Sequence, residues 1–337
     1  LSTPLHAALR PARNTEPNGT RTMEILFIFI VPAAALILDT LFGDPKCLPH
    51  PVRLIGRILD LYEASARRVG IDLAVAGWAA VLLLPVAAWG VAEFMMAIPY
   101  LGLIVAVYLA YAGLALGCLA REAYRVAALL DTGDLPGARA ALSMLVSRDT
   151  SELGPDEVRR TLAETVSENL NDGLVAPMFY LVLLGPGGLW AYKTISTMDS
   201  MWGYRTERFR DLGRAAAKTD DILAWIPARI TAWLMIFVGW RRGLAHGAAK
   251  ANLSRDASRM ESPNAGWPMA AAAWLLGGQM GGRAVYFGAV KDKPVLGPAG
   301  AVWDRQMVRT LIRLCKSTGH LAGWLFIALL GALRWVW

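Results

Sequence analysis

Residues 73–120 read LAVAGWAAVLLLPVAAWGVAEFMMAIPYLGLIVAVYLAYAGLALGCLA, and Glu93 is the only formal charge among them. A membrane-spanning helix needs about 20 apolar residues, at about 1.5 Å of rise each. The run is therefore long enough for two spans joined by a tight turn. The turn falls at Met96-Ala97-Ile98-Pro99-Tyr100, because Pro99 cannot continue a helix interior. The stretch predicts a transmembrane helical hairpin with spans over 73–96 and 99–120.

The rest of the chain agrees with a membrane protein. Apolar residues make up 55% of the 337 and charged residues 18%, with a mean hydropathy of +0.39; a soluble domain carries more charge. Residues 24–42 are apolar apart from Glu24, Asp39 and Thr40, and residues 320–337 end the chain as an apolar run with Trp324, Trp335 and Trp337. Tryptophans near the end of a span suit the headgroup region. Two further apolar stretches are interrupted. Residues 174–192 contain Pro177 and Gly185-Pro186-Gly187-Gly188, and residues 222–240 contain Pro227 and Arg229. Each reads as an embedded or re-entrant segment in preference to a plain span. The expected fold class is all-α: a polytopic membrane protein with about four spans, embedded or re-entrant helices and helical polar segments. Residues 1–22 are polar, precede Met23 and read as a disordered leader or a mis-assigned start. Residues 23–337 are expected to form one domain.

Charge sets the orientation. Lys46, Arg53, Arg57, Arg67 and Arg68 precede the hairpin, and Arg121, Arg125, Arg139, Arg148, Arg159 and Arg160 follow it, whereas its turn carries no Lys or Arg. The positive-inside rule puts both basic connections in the cytoplasm. The net charge of +7 then reads mainly as topology, with anionic lipids or phosphorylated ligands as a second attraction. No compact basic helix or aromatic-interleaved motif points to nucleic acid. Cys47, Cys118 and Cys315 share no ligand spacing, so neither a disulfide framework nor a zinc site follows.

Several polar patches carry more chemistry than connections need. Gly154-Pro155-Asp156-Glu157 opens a helix over about 155–172, whose stripe Val158, Leu162, Val166 and Leu170 recurs every four residues. Glu164, Glu168 and Asp172 recur likewise on roughly the opposite face, where like charges repel unless neutralised. A divalent cation or the arginines of another segment would neutralise them; a solvated acidic face is the alternative. Residues 193–205 crowd Lys193, Ser196, Thr197, Asp199, Ser200 and Arg205 together, which suits phosphate and a cation or an ordinary interfacial connection. Asp220-Asp221 are cation ligands or helix-capping acids. Arg229, in an apolar stretch, needs a partner or a wet cavity. The turn around Pro263-Asn264 can face an anion or merely join helices. Asp39, Gly43-Asp44 and His50-Pro51-Val52-Arg53 close an apolar segment with two acids, an imidazole and a base.

Taken in order, these patches resemble the adenosylcobinamide-phosphate synthase family of cobalamin biosynthesis. The resemblance is carried by LDTLFGDP at 38–45 with PHPVRLIG at 49–56, by Arg148-Asp149-Thr150, and by ETVSEN at 164–169 with Asp172-Gly173. It continues in TMDSM at 197–201, Asp220-Asp221 with Pro227-Ala228-Arg229, and SPNAG at 262–266. Ser196, Ala224 and Lys293 stand where the family usually has other residues. The resemblance implies an ATP-dependent ligase that joins aminopropanol phosphate, or a related amino alcohol, to the free propionate of adenosylcobyric acid. It implies Mg2+ and ATP, with a corrinoid as substrate. The implied metal ligands are Glu164, Glu168 and Asp172, completed by Asp199 or by Asp220 and Asp221, with Asp44 in the set. Arg53, Asn169, Lys193, Ser200, Arg205, Arg229 and Asn264 are implied substrate or phosphate contacts. Glu168, Asp199 and His50 are the catalytic candidates, a base being needed for the ammonium proton. The expected setting is the inner cell membrane with the active-site loops cytoplasmic, and both association with other pathway enzymes and homo-oligomerisation are open. The rival reading is a corrinoid or cation transporter, which broken apolar segments and an intramembrane arginine also fit; the chain has no internal repeat of the kind many transporters show.

Overall fold

The computed structural model describes residues 26–44, 50–204, 206–286 and 289–336. The expected leader, the start of the first apolar segment, Arg205 and Trp337 lie outside them. After a π-helical turn at Leu26–Ile30, the helices are α1 (Val31–Phe42), α2 (Pro51–Val69), α3 (Leu73–Met96), α4 (Gly102–Ala112), α5 (Leu116–Asp131), α6 (Leu135–Ser143) and α7 (Pro155–Leu170). A second π-turn at Asn171–Val175 leads into α8 (Ala176–Trp202), followed by α9 (Arg214–Leu223), α10 (Trp225–Arg241), α11 (His246–Ala257) and α12 (Gly266–Leu276). Strands β1 (Met280–Tyr286) and β2 (Ala289–Leu296) precede the long α13 (Arg305–Val336). The chain is a helical membrane protein.

Among the described residues, three helices are long and apolar enough to cross a membrane: Leu73–Met96, Gly102–Asp131 and Pro155–Trp202. The pair α9 and α10, bent by 48°, makes up to a fourth. The hairpin α3–α4 turns at residues 97–101, with Tyr100 at φ 64°. The expected span over 99–120 is broken at residues 113–115. There Ala115 N–H donates to Gly173 O at 2.8 Å, so the break meets the second π-turn. The expected terminal segment 320–337 is the end of α13, whose first half carries Arg305, Arg309 and Arg313; the first two pair with Asp131 at the end of α5. Neither α13 nor the short apolar helix Ile28–Phe42 is among the three.

The third long segment does not run straight. Gly185 has φ 76° and ψ −174°, a region open essentially to glycine alone, and Pro186 then starts the second limb as a first-turn proline. The rings of Tyr180 and Tyr192 stack at a centroid distance of 4.8 Å. Twelve residues of straight helix would separate them by about 18 Å. So α8 doubles back: residues 176–184 go in and residues 186–202 return. The returning limb packs along α3. Gly187 lies against Trp89 and Glu93 near the hairpin turn, while Met198 and Trp202 join Ala76, Ala80 and Val81 near the start of α3.

The all-α expectation misses one element. β1 and β2 form an antiparallel ribbon, with Gly282 paired to Lys293 and Val285 to Val290. Gly281 and Gly282 both take positive φ, and a Cβ on Gly281 would meet Pro294 O at 2.0 Å. These glycines make a twisted strand end that lets two backbones approach closely.

Helix α7 sits at the centre, against α5, α12, α13 and β1. Its stripe Val158, Leu162, Val166 and Leu170 is buried as the spacing predicts, but Thr161, Glu164, Thr165 and Ser167 are buried as well. The helix therefore has no broad solvated acidic face.

Candidate active site

The reversal at Gly185 determines what can meet. It returns Lys193 and Asp199, which lie beyond the bend, to the level of Glu168 and Asp172, which precede it. Lys193 is within electrostatic reach of Asp172, Asp220 and Asp44. Asp199 feels Asp221 and Glu168, and Asp220 feels Asp172, Asp199 and Asp221. Lys293, delivered by β2, reaches Glu168 from the other side. Helices α7, α8 and α9, the second π-turn, the segment after α1 and the ribbon thus converge on a patch with more carboxylates than cations.

The walls of this patch are fixed by hydrogen bonds. Asn171 Nδ2 donates to Asp172 Oδ1 at 2.7 Å and its Oδ1 accepts from Thr231 on α10 at 3.1 Å, which holds the π-turn in place. Tyr180 donates from its hydroxyl to Leu223 O at 2.9 Å, pinning the end of α9 and with it Asp220 and Asp221. Ser262 donates to Asp221 Oδ1 at 3.2 Å and Asn264 to Asp221 O at 2.7 Å. At the rim, His50 Nε2 lies 3.6 Å from Asp44 Oδ1.

The expected residues separate into two groups. Glu168, Asp172, Lys193, Asp199, Asp220 and Asp221 come together, with Asp44 and His50 beside them. Glu164 does not join as a ligand. It is ion-paired to Arg148 and accepts from Gly281 N–H at 2.8 Å, so it ties the loop before α7 to β1. Arg229 is not aimed at the patch. Its guanidinium lies over Trp225 at 3.9 Å and Trp267 at 4.6 Å, and it donates to Asn264 Oδ1 at 3.3 Å. That stacking is how a charge in an apolar stretch is accommodated here. Asn264 is the link between Arg229 and Asp221. Asn169 donates to Thr165 of its own helix and Ser200 to Ser196 of its own. Arg53 is exposed on the first turn of α2.

Sequence reasoning missed Arg148 as the partner of Glu164, and it missed Asn171, Tyr180 and Tyr192. Asn171 stands next to Asp172, but its tie to Thr231 spans 60 positions and no local signal marks it.

Among the described residues no three of Asp, Glu, His and Cys converge closely enough to hold a metal alone. The expected ligand set is corrected accordingly: Glu164 is consumed by Arg148, and the remaining acids do not gather as a group of three. A divalent cation shared with phosphate oxygens needs only one or two carboxylates, and this chain meets that demand. Asp220 Oδ1 is buried with no hydrogen-bond partner among the described residues, facing other acids. A Mg2+ ion brought in with a nucleotide fits that position.

A family profile described as CobD/Cbib protein matches residues 32–315. The chain belongs to the CobD/CbiB family. It is 41% identical over 296 residues to the cobalamin biosynthesis protein CobD of Pelobacter propionicus, covering 86% of this chain and 91% of that protein. It is 38% identical over 302 residues to the CobD protein of Klebsiella pneumoniae (87% and 94% covered). It is also 38% identical over 310 residues to the CbiB protein of Salmonella arizonae (87% and 95% covered). No solved structure matches. CobD/CbiB membership extends over every element of the acidic patch, from Asp44 to Lys293.

Proposed function

We propose that the chain acts in cobalamin biosynthesis as adenosylcobinamide-phosphate synthase, an ATP-dependent ligase. It joins aminopropanol phosphate, or a related amino alcohol, to the free propionate of adenosylcobyric acid. The observation that supports this most strongly is the patch made by the reversal at Gly185: Glu168, Asp172, Asp199 and Asp220 around Lys193, with one oxygen of Asp220 unpaired.

A carboxylate does not react with an amine until one of its oxygens is made a leaving group. Transfer of the γ-phosphoryl of ATP to the propionate does this. The amine then adds to the carbonyl carbon, the C–O bond to phosphate breaks, and the ammonium proton must be taken up. Phosphoryl transfer calls for charge neutralisation and positioning, with little covalent help from the protein. Mg2+ supplies part of that neutralisation when bound. Asp220, with Asp172 or Asp199, would hold it, and Lys193 would offset the phosphoryl oxygens. His50, oriented by Asp44, takes the amine proton, a role suited to an imidazole. ATP is cytoplasmic, so the patch faces the cytoplasm, in line with the basic connections around the hairpin.

The test is direct. Purified protein is incubated with adenosylcobyric acid, aminopropanol phosphate and Mg-ATP, and amide product and hydrolysed nucleotide are quantified. Product in step with nucleotide hydrolysis is expected. Absence of any ATP-dependent product, with the corrinoid accumulating inside vesicles instead, overturns the ligase in favour of a transporter.

A further inference from the structure

Helix α2 has a face that its own fold does not use. Ile55, Leu59, Tyr62 and Ala66 pack inward against Met198, Trp202, Leu212 and their neighbours. On the outside, Leu54, Ile58, Leu61 and Val69 are exposed, Leu61 to 68% and Val69 to 73%. Beside them Arg53, Arg57 and Arg68 are exposed as well, and among the described residues they carry no ion pair. At 3.6 residues per turn the three arginines fall within about 60° of arc, and the four apolar side chains fill roughly the next 80°. Arg67 is not part of that strip. It is paired with buried Glu63, as is Arg208 from the segment before α9.

The height of α2 is also set. Tyr62 donates from its hydroxyl to Ala76 O at 2.8 Å, in the first turn of α3, and residues 70–72 join the two helices. Gly70 takes φ 76° to end α2, and Asp72 caps α3 through the amides of Ala74 and Val75. The start of α3 is the end of a membrane span, so α2 lies where acyl chains give way to headgroups. A helix with a basic strip beside an apolar strip at that depth has the make-up of an interfacial helix.

We infer that α2 is an anionic-phospholipid-binding helix, with Leu54, Ile58, Leu61 and Val69 in the acyl boundary and Arg53, Arg57 and Arg68 on headgroup phosphates. The occupant is the bilayer itself, on two grounds: charge complementarity, and continuity with the span that begins at Leu73. The surface has a bearing on the patch. His50 immediately precedes α2, and Gly56 lies 3.6 Å, measured from a Cβ position, from Met201 Sδ, two residues past Asp199. The inference stands on the exposed strips and the placement of α2, and not on the ligase reading.

Spin-labelled phosphatidylglycerol and phosphatidylcholine, each added to the full-length protein in bilayers, measure it without reference to turnover. The wild type is expected to hold the phosphatidylglycerol label preferentially. That preference falls several-fold in Arg53→Gln/Arg57→Gln/Arg68→Gln, and falls likewise for the wild type in high salt, because the attraction of surface arginines to an anionic leaflet is electrostatic and screened. The triple Arg→Lys variant keeps the preference, which separates lost charge from a lost fold. No preference in the wild type, a salt-insensitive preference, or a triple Gln variant that equals the wild type overturns the inference.

Discussion

Asp39 is fully buried in an apolar helix, yet its carboxylate accepts from Leu116 N–H at 3.0 Å and from Gly117 N–H at 3.2 Å. Those amides open α5, where orphan donors and the helix dipole favour an anion. Gly117 lets the chains meet this closely, since a Cβ there would lie 2.0 Å from Asp39 O. Asp39→Ala leaves two buried donors unpaired and should cost about 2–3 kcal/mol, read as a lower unfolding midpoint in detergent; Asp39→Asn, which keeps an acceptor, should recover part of it. Asp220 is the opposite case. Among the described residues its Oδ1 has no hydrogen-bond partner and it faces three other acids as well as Lys193, which on the proposed reading leaves it for a ligand. Asp220→Asn should lower turnover by about 100-fold or more while the unfolding midpoint holds or rises. A collapse of folded protein with Asn at this position would show that the carboxylate is architectural. Arg229 shows why residue roles outrun sequence reading: a lone arginine in an apolar run demands an explanation, and while Trp225 stands one turn earlier on the same helix, Trp267, the second ring against it, comes from α12.

Among elements, α8 makes the difference between scattered motifs and a site. Gly185-Pro186 in an apolar stretch marks an interruption, and that much is legible because glycine and proline act through the local backbone. A re-entrant course was expected from that interruption, but the helix against which the second limb returns was not legible, since it depends on Tyr180 stacking on Tyr192 and on the limb finding α3. Gly185→Ala forces a side chain into a conformation costing about 1–3 kcal/mol. It should abolish turnover with the acidic side chains all present; normal turnover would mean that the reversal is not needed. The run 73–120, with Glu93 its one formal charge, marked the hairpin α3–α4 for a similar reason of local physics, length and scarcity of charge. Its break at 113–115 stayed hidden because Asp39 and Gly173, which stabilise it, come from distant segments. The β1–β2 ribbon was hidden too: Gly281 and Gly282 signal a bend equally well in a turn or in a strand.

For the whole molecule, the reversal in α8 brings the acids of α7, α8 and α9 to one patch. The four-residue spacing of Glu164, Glu168 and Asp172 drew attention to the helix that carries Glu168 into the patch, and the order of the other motifs to segments that meet it. The spacing alone could not tell that Glu164 turns to Arg148 while the other two face Lys193. That division is made by β1, whose Gly281 amide claims Glu164. The most direct test of the account is a distance between spin labels at Asn169→Cys and Ser200→Cys, in protein freed of its native cysteines and reconstituted in bilayers. With α8 doubled back, the labels should lie within about 25 Å of each other. A distance near 45 Å, the length of about 31 residues of unbroken helix, would put Glu168 and Asp199 on opposite sides of the membrane and contradict the single site.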